Sequence, residues 1–537
     1  MKRSWVLGSV VVLCIVLLLG IALAQGGALV RGIVFEDANR NGVFDPGEKG
    51  IPGVCVSNGR EVVQTNSEGK YELPAYENMI VFVTKPSGYA FPMSKYNTPL
   101  FYYIHRPNGS PEAIKEYPGI SPTGPLPEAV NFPLFKIDES ENFKVVVLGD
   151  TQVSDHREIV YLRDAVIADI AKNHKDVALA IAMGDNLNDP LNLYDRYLSV
   201  MAGMGCPVYY VFGNHDMNFD APENAWKHET FSRYVGPDYY SFNVGKVHFV
   251  VLDSVMWNGK EYHGEISEEQ LQWLQNDLSF VPKDHLVVIA QHIPLISYVD
   301  RNAEKHQVKN RDKLFALLEG RNVLFLGGHS HTIEKFFPGD TFGDWSPNLP
   351  FPQVIVGAAC GSWWSGPKDD RGIPYSYQRD GAPKGYFVFE FQGNTWKDAF
   401  FPVGLGRQMN ISFYSPRIPT WTEAFLGLVE GVFTKEELGG VFVVANVFNA
   451  DSRSEVLCAI DDRQPVRMPY RSIPDPLALR MVRQIAGAPD WLWPKGSTHT
   501  FVLPLPSDLE RGVHKVTVTF KDAYGNVFEE VRFFEVL

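Results

Sequence analysis

Five apolar runs between residues 143 and 332 each stop at a small cluster of Gly, Asn, Asp, Gln or His, and this repeated ending constrains the fold most. KVVVL runs into Gly149-Asp150-Thr151-Gln152, VALAIAM into Gly184-Asp185-Asn186, and PVYYVF into Gly213-Asn214-His215-Asp216. LVVIA ends at Gln291-His292, and NVLFL at Gly327-Gly328-His329-Ser330-His331. Short runs of this composition, bounded by turn residues, read as buried strands. Segments of helical period, EIVYLRDAVIADIAKN and SEEQLQWLQNDL, lie between them. Alternating strand and helix predicts a layered α/β domain. Strand ends on one edge of such a sheet face one crevice, so distant residues meet there. The glycines that open four of these five clusters are expected to let the backbone turn sharply.

What converges is a set of donors. Carboxylate, amide and imidazole together are borderline ligands suited to Zn, Mn or Fe. One Gly-Asp alone is usually a turn, and one His alone usually a satisfied core residue. Five such clusters in order are not explained that way.

On these motifs, residues 143 to about 400 resemble the calcineurin-like metallophosphoesterase family, in its bacterial exported type with N-terminal and C-terminal β-sandwich domains. That family carries, in order, Asp-x-His, Gly-Asp, Gly-Asn-His-Asp or -Glu, a lone His and Gly-His-x-His. The resemblance implies a layered β-sandwich with flanking helices and a pair of divalent or trivalent transition metals (Mn, Fe or Zn). Asp185 would bridge them. Asp150, Gln152 and His331 would complete one site; Asn214, His292 and His329 would complete the other. His215 would be the catalytic acid with Asp216 beside it, although Asp216 also reads as a helix N-cap. Gln152 stands where the family usually has His; its amide oxygen is neutral and harder than imidazole, which leaves metal identity open. The implied reaction is hydrolysis of phosphate mono- or diesters by a metal-bridging hydroxide. A catalytically inactive surface scaffold is the alternative.

The remaining sequence sets the surroundings. Lys2 and Arg3 precede an apolar run ending Ala22-Leu23-Ala24, which reads as a signal peptide over residues 1–24. Export to the periplasm or outside the cell follows, with membrane anchoring only if the segment is uncleaved. Residues 29–84 alternate in the manner of a small β-sandwich; 85–142 read as a Pro-rich irregular extension; 143–404 form the catalytic domain and 405–537 a C-terminal β-sandwich. Asp37, Asn39, Asn41, Asp45 and Glu48, with Gly42 at the tight turn, match a twelve-position calcium loop and predict a structural Ca²⁺. A net charge of −14 argues against coating nucleic acid and leaves a phosphorylated small molecule or envelope component as substrate. The scattered Cys55, Cys206, Cys360 and Cys458 read as buried small hydrophobes, a Cys206–Cys360 bridge being the alternative. Trp363 and Trp364 either stack a substrate ring or cover the sheet edge. Arg301, Lys305 and His306, in the polar loop after His292, either contact phosphate or form a solvated surface loop, the commoner case.

Overall fold

The computed structural model describes residues 27–537, so the expected signal peptide lies outside the described residues. Among the described residues no helix is long and apolar enough to cross a membrane.

Two sheets face each other in the centre. One runs Val208–Tyr210, Val177–Ala182, Asn142–Leu148, Gly385–Gln392, Thr395–Pro402, parallel across its first three strands and antiparallel at the other edge. The other runs Tyr240–Val244, Val247–Leu252, Leu286–Gln291, Asn322–Gly327, Gln353–Val356, Ile333–Phe336, with its four inner strands parallel. The apolar runs are near-continuous because both faces of the first sheet are covered. Val145, Val147, Leu179 and Ile181 point into the core between the sheets. Their neighbours Val146, Leu148, Ala180 and Ala182 point the opposite way, under helices and Tyr194, Tyr197 and Phe212. The expected helix after Asp150 is continuous over 156–173, with a π-type stretch at Leu162–Ile167 and Asp155 as its N-cap. Ser267 caps the helix Glu268–Leu278, whose Leu271, Trp273, Leu274 and Leu278 are buried.

The N-terminal region is larger than its alternating pattern suggests. Leu29–Glu36 pairs with Lys70–Pro74 and Lys49–Gly50, and also, in parallel, with Phe132–Lys136. A second sheet joins Val62–Gln64, Cys55–Ser57, Met79–Val83 and Tyr102–His105. The stretch 85–142, expected as an irregular extension, therefore supplies strands to both sheets of this region. Those strands are only two to five residues long and one contains a proline, too short to carry a period of two. The region is fastened to the catalytic domain by a buried Arg106–Glu229 pair at 3.0 Å and a Thr84–Ser241 hydroxyl contact at 2.9 Å.

Beyond Pro402, a three-stranded sheet (Met409–Tyr414, Phe442–Val447, Thr500–Pro504) packs on a five-stranded one built around the hairpin Gly512–Lys521 and Val527–Val536. Two helices, Glu423–Glu430 and Pro476–Arg483, interrupt this sandwich.

Candidate metal centre

The parallel strands of both sheets deliver their clusters to one place, and close approach is what the glycines provide. A Cβ on Gly149 would sit 1.8 Å from the Gly357 carbonyl oxygen, and one on Gly213 would sit 2.0 Å from the Asp185 nitrogen. Of the expected turn glycines, only Gly184 takes a positive φ, +90°. The left-handed turns are made by the functional residues themselves: Asp150 (φ 32°), Gln152 (40°), Asp185 (48°), His329 (70°) and His331 (51°). Such backbone costs of the order of 1–3 kcal/mol per residue and persists where the surroundings over-determine it.

The side chains meet. His292 Nε2 lies 3.2 Å from Asp185 Oδ1, from Asn214 Oδ1 and from His329 Nδ1. Ligand atoms of Asp185, His292 and His329 all fall within 4.8 Å of one another. Next to them, His331 Nε2 is 3.6 Å from Asp150 Oδ1, and Gln152 Nε2 is 3.2 Å from Asp185 Oδ2. Asp150, Gln152, Asp185, Asn214, His292 and His331 are buried.

Backbone carbonyls fix which imidazole nitrogens face inward. His292 Nδ1 is 2.9 Å from the Met183 oxygen and His331 Nδ1 is 2.6 Å from the Gly361 oxygen. A carbonyl only accepts, so each Nδ1 carries a proton and each Nε2 turns to the cluster. Carbonyl partners of this kind orient metal-binding histidines. The donor set thus fits a pair of transition metals: oxygen and nitrogen lone pairs crowd a buried space where they would repel without a cation between them.

The buried groups shift one another's pKa in opposite directions. Burial would raise the Asp185 carboxyl, but His292 and His215 beside it prevail and hold it at about 2. Asp150 is pushed up by burial. Burial lowers His331 to about 3 and takes His329 well below the usual imidazole range. His292 goes the other way: burial opposes its charge, yet Asp185 and Asp150 lift it to about 9.

His215 stands at the rim, with 30% of its side chain exposed. Its backbone N–H donates to Asp185 Oδ1 at 2.8 Å, and its Nδ1 is 2.7 Å from Asp189 Oδ1. Burial alone would lower its pKa, but Asp185 and Asp189 raise it to about 9.

The pairing of His215 with Asp216 is corrected by these contacts. The Asp216 carboxylate is fully buried and accepts from the backbone N–H of Gly213, Asn186 and Leu187, from Asn186 Nδ2 and from the Tyr194 hydroxyl. It binds the Gly-Asp-Asn loop to the Gly-Asn-His loop, while the His215 ring pairs with Asp189 instead. Adjacent side chains in the tight turn Asn214–Asp216 diverge, so one reaches the crevice and the other the core. Asp189 takes the partner role. It sits in Asn188-Asp189-Pro190, a composition any surface turn could have, which gave no signal.

His306 is part of the centre's surroundings and not of a solvated loop: its Nδ1 lies 2.5 Å from His329 Nε2. Its loop is held by Asp300, paired with both terminal nitrogens of Arg379 at 2.8 and 3.0 Å. The two tryptophans have different surroundings. Trp364 is buried, donates Nε1–H to the Thr151 carbonyl and packs on Tyr161. Trp363 stacks on His331 at 4.1 Å. Cys206 and Cys360, like Cys55 and Cys458, are free thiols.

In the expected calcium loop, Asn39 and Asn41 both donate to Asp45 Oδ2 at 2.8 Å, while Glu48 accepts from the Ala38 and Asp45 amides. Asp37 is buried and accepts from the amides of Asn41 and Gly42. The loop closes on its own hydrogen bonds. Among the described residues, Asp185–His292–His329 is the one cluster of three or more carboxylate, imidazole or thiol donors within 4.8 Å, so Asp37, Asp45 and Glu48 do not form another.

Comparison with known proteins matches this arrangement along most of the chain. Residues 38–116 match the N terminal of calcineurin-like phosphoesterase, 143–332 the calcineurin-like phosphoesterase itself, and 354–528 its C terminal. The chain belongs to the calcineurin-like phosphoesterase family. It is accordingly a metal-dependent phosphoester hydrolase. A probable cyclic nucleotide phosphodiesterase of Rhodopseudomonas palustris is 28% identical over 37% of this chain and 76% of its own length. The serine/threonine-protein phosphatase CPPED1 of Pongo abelii is 40% identical over 17% of this chain and 28% of its own. The 3',5'-cyclic adenosine monophosphate phosphodiesterase CpdA of Escherichia coli K12 is 26% identical, covering 29% and 54% respectively. The chain thus spans about a quarter to three quarters of these relatives.

Proposed function

We propose that this chain hydrolyses phosphate esters with Asp150, Gln152, Asp185 and His331 holding one metal, and Asp185, Asn214, His292 and His329 holding the other. His215 protonates the leaving oxygen. The observation that carries the reading is the 3.2 Å convergence of Asp185, Asn214 and His329 on His292 Nε2. When bound, the two metals supply Lewis acidity toward phosphoryl oxygens and lower the pKa of a water.

The chain's own groups do the rest. Met183 and Gly361 hold two imidazoles in the tautomers that present Nε2 inward. Gln152 Nε2 donates to Asp185, and turning its amide over would present Oε1 at the same place. His215 keeps a proton because Asp189 faces its Nδ1, and the exposed side of the ring can give a proton to departing alkoxide. General-acid help of this kind is worth roughly 10²–10⁴-fold. The Asp37–Glu48 loop is part of the same proposal as a Ca²⁺ site of structural role, supported by its complete spacing of oxygen side chains.

Relatives are named both as phosphodiesterases and as phosphatases, so the ester class enters the test. Purified protein should carry Mn, Fe or Zn and release nitrophenol from p-nitrophenyl phosphate, from bis(p-nitrophenyl) phosphate, or from both. Asp185→Asn should lose the metal and the activity together. A metal-loaded protein inert toward both esters would instead favour the inactive scaffold. Full rate in Asp185→Asn would remove the proposed bridging role.

A further inference from the structure

Trp363 and Trp491 meet beside the centre, although they come from different domains. The Trp363 ring lies nearly parallel to His331, 4.1 Å away at 20°. Its backbone is left-handed, φ 50°, and so is that of Trp364. A bulky residue in that region is strained, and strain of this kind gathers at ligand clamps. Trp491 belongs to a segment of the C-terminal region after the helix Pro476–Arg483, and its neighbours Leu492 and Pro494 line a small cavity together with Ser365, Gly366 and Tyr377 of the catalytic region. It meets Trp363 edge-on, with ring centres 4.4 Å apart at 72°.

That segment is anchored to the same loop as the ligands. The Lys495 N–H donates to the Arg379 carbonyl at 2.6 Å, and the Arg379 N–H donates to the His331 carbonyl at 2.9 Å. The Arg379 guanidinium also holds the Ser330 carbonyl and Asp300. Trp491 is therefore placed by the backbone that carries His331, and yet it leaves 49% of its surface in solvent. An indole fixed in position and left half open next to a catalytic centre is a stacking surface without its ring.

We infer that Trp491, backed by Trp363, forms a stacking subsite that selects phosphoesters bearing a planar ring, of the nucleoside type. The inference rests on the phosphoesterase reading above and names the substrate class for that site. An indole face gains most from a flat π system and little from a straight-chain or polyol alcohol. The net charge of −14 opposes a polyanion, so the ring arrives on a small ester and not on a nucleic-acid strand. The C-terminal sandwich then has a role in recognition: it completes the substrate wall of a domain that already holds every proposed metal ligand.

The test uses the full chain and its metals, comparing a nucleoside phosphoester with a ring-free one of the same ester class: adenosine monophosphate against glycerol phosphate, and p-nitrophenyl thymidine phosphate against glycerophosphocholine. Base–aromatic stacking is worth about 1–3 kcal/mol, so Trp491→Ala should lower the ring-bearing to ring-free ratio of kcat/KM by roughly 5- to 150-fold, mainly through KM. Trp491→Phe should restore most of it. A ratio that stays within about twofold in Trp491→Ala would overturn the subsite. Adenosine monophosphate should also quench tryptophan emission in the wild type and less in Trp491→Ala. No quenching in wild type overturns the subsite even if the ester is hydrolysed. Quenching without hydrolysis of any ester keeps the subsite and removes the phosphoesterase reading on which its substrate class depends.

Discussion

Two oxygen- and nitrogen-rich motifs stand out in this chain, and they are built by opposite routes. The loop Asp37–Glu48 is local: its side chains lie within one turn of backbone and bond to one another, with Asn39, Asn41 and Asp45 sharing a carboxylate oxygen. The catalytic centre is dispersed, drawing Asp150 and His331 to 3.6 Å across 181 positions of sequence. The local loop satisfies its polar groups by itself. The dispersed centre leaves lone pairs facing each other inside the protein, and strands, left-handed ligand residues and one buried carboxylate keep them there. Spacing alone suffices to bring a loop's ligands near one another. A dispersed centre needs a fold, and its supporting groups are as specific as its ligands.

That contrast predicts where damage is chemical and where it is structural. The largest effect should be at His215. His215→Ala is expected to lower kcat by about 10²–10⁴-fold while the protein keeps its metals and melts near the wild-type temperature. Asp189→Asn should give a smaller loss in the same direction, and full activity there would detach Asp189 from the acid. Asp216→Ala, one residue away, should act on the fold. Its carboxylate takes several buried hydrogen bonds, so stability should fall by about 3 kcal/mol, read as an earlier urea midpoint. If Asp216→Ala instead melted like wild type and lost only rate, the division between these neighbours would be wrong. The smallest effect belongs to the N-terminal loop. Calcium at a hundredfold excess over its Kd should stabilise by about 2.7 kcal/mol, and Asp37→Ala should abolish that shift without changing kcat. A melting temperature indifferent to calcium and chelator would leave the loop a hydrogen-bonded turn with no ion.

Several features of the site were legible in the linear chain because each depends on a short segment. Gly-Asn-His-Asp is a motif whose residues adjoin, and an apolar run ending in Gly-Asp needs only the strand before it. Asp189 and His306 were not legible, for the same physical reason. Each lies in a polar surface turn and gains meaning only from the neighbour it meets, His215 at 2.7 Å and His329 at 2.5 Å. Asp216 misled because adjacency in sequence suggests adjacency of side chains, which a tight turn defeats. The strands of 85–142 were missed because pairing, not periodicity, makes a two-residue strand.

Sequence by itself determined the layered α/β core, the order of the ligand clusters and their donor chemistry, since alternating apolar runs and terminal polar residues act through local backbone preference and burial. Only the tertiary structure decided which imidazole nitrogens face inward, which aspartate serves His215, and that Trp491 of the C-terminal region meets Trp363, which itself stacks on His331. Those outcomes depend on contacts between segments far apart in the chain, and no local rule encodes which carbonyl or carboxylate will arrive at a given ring.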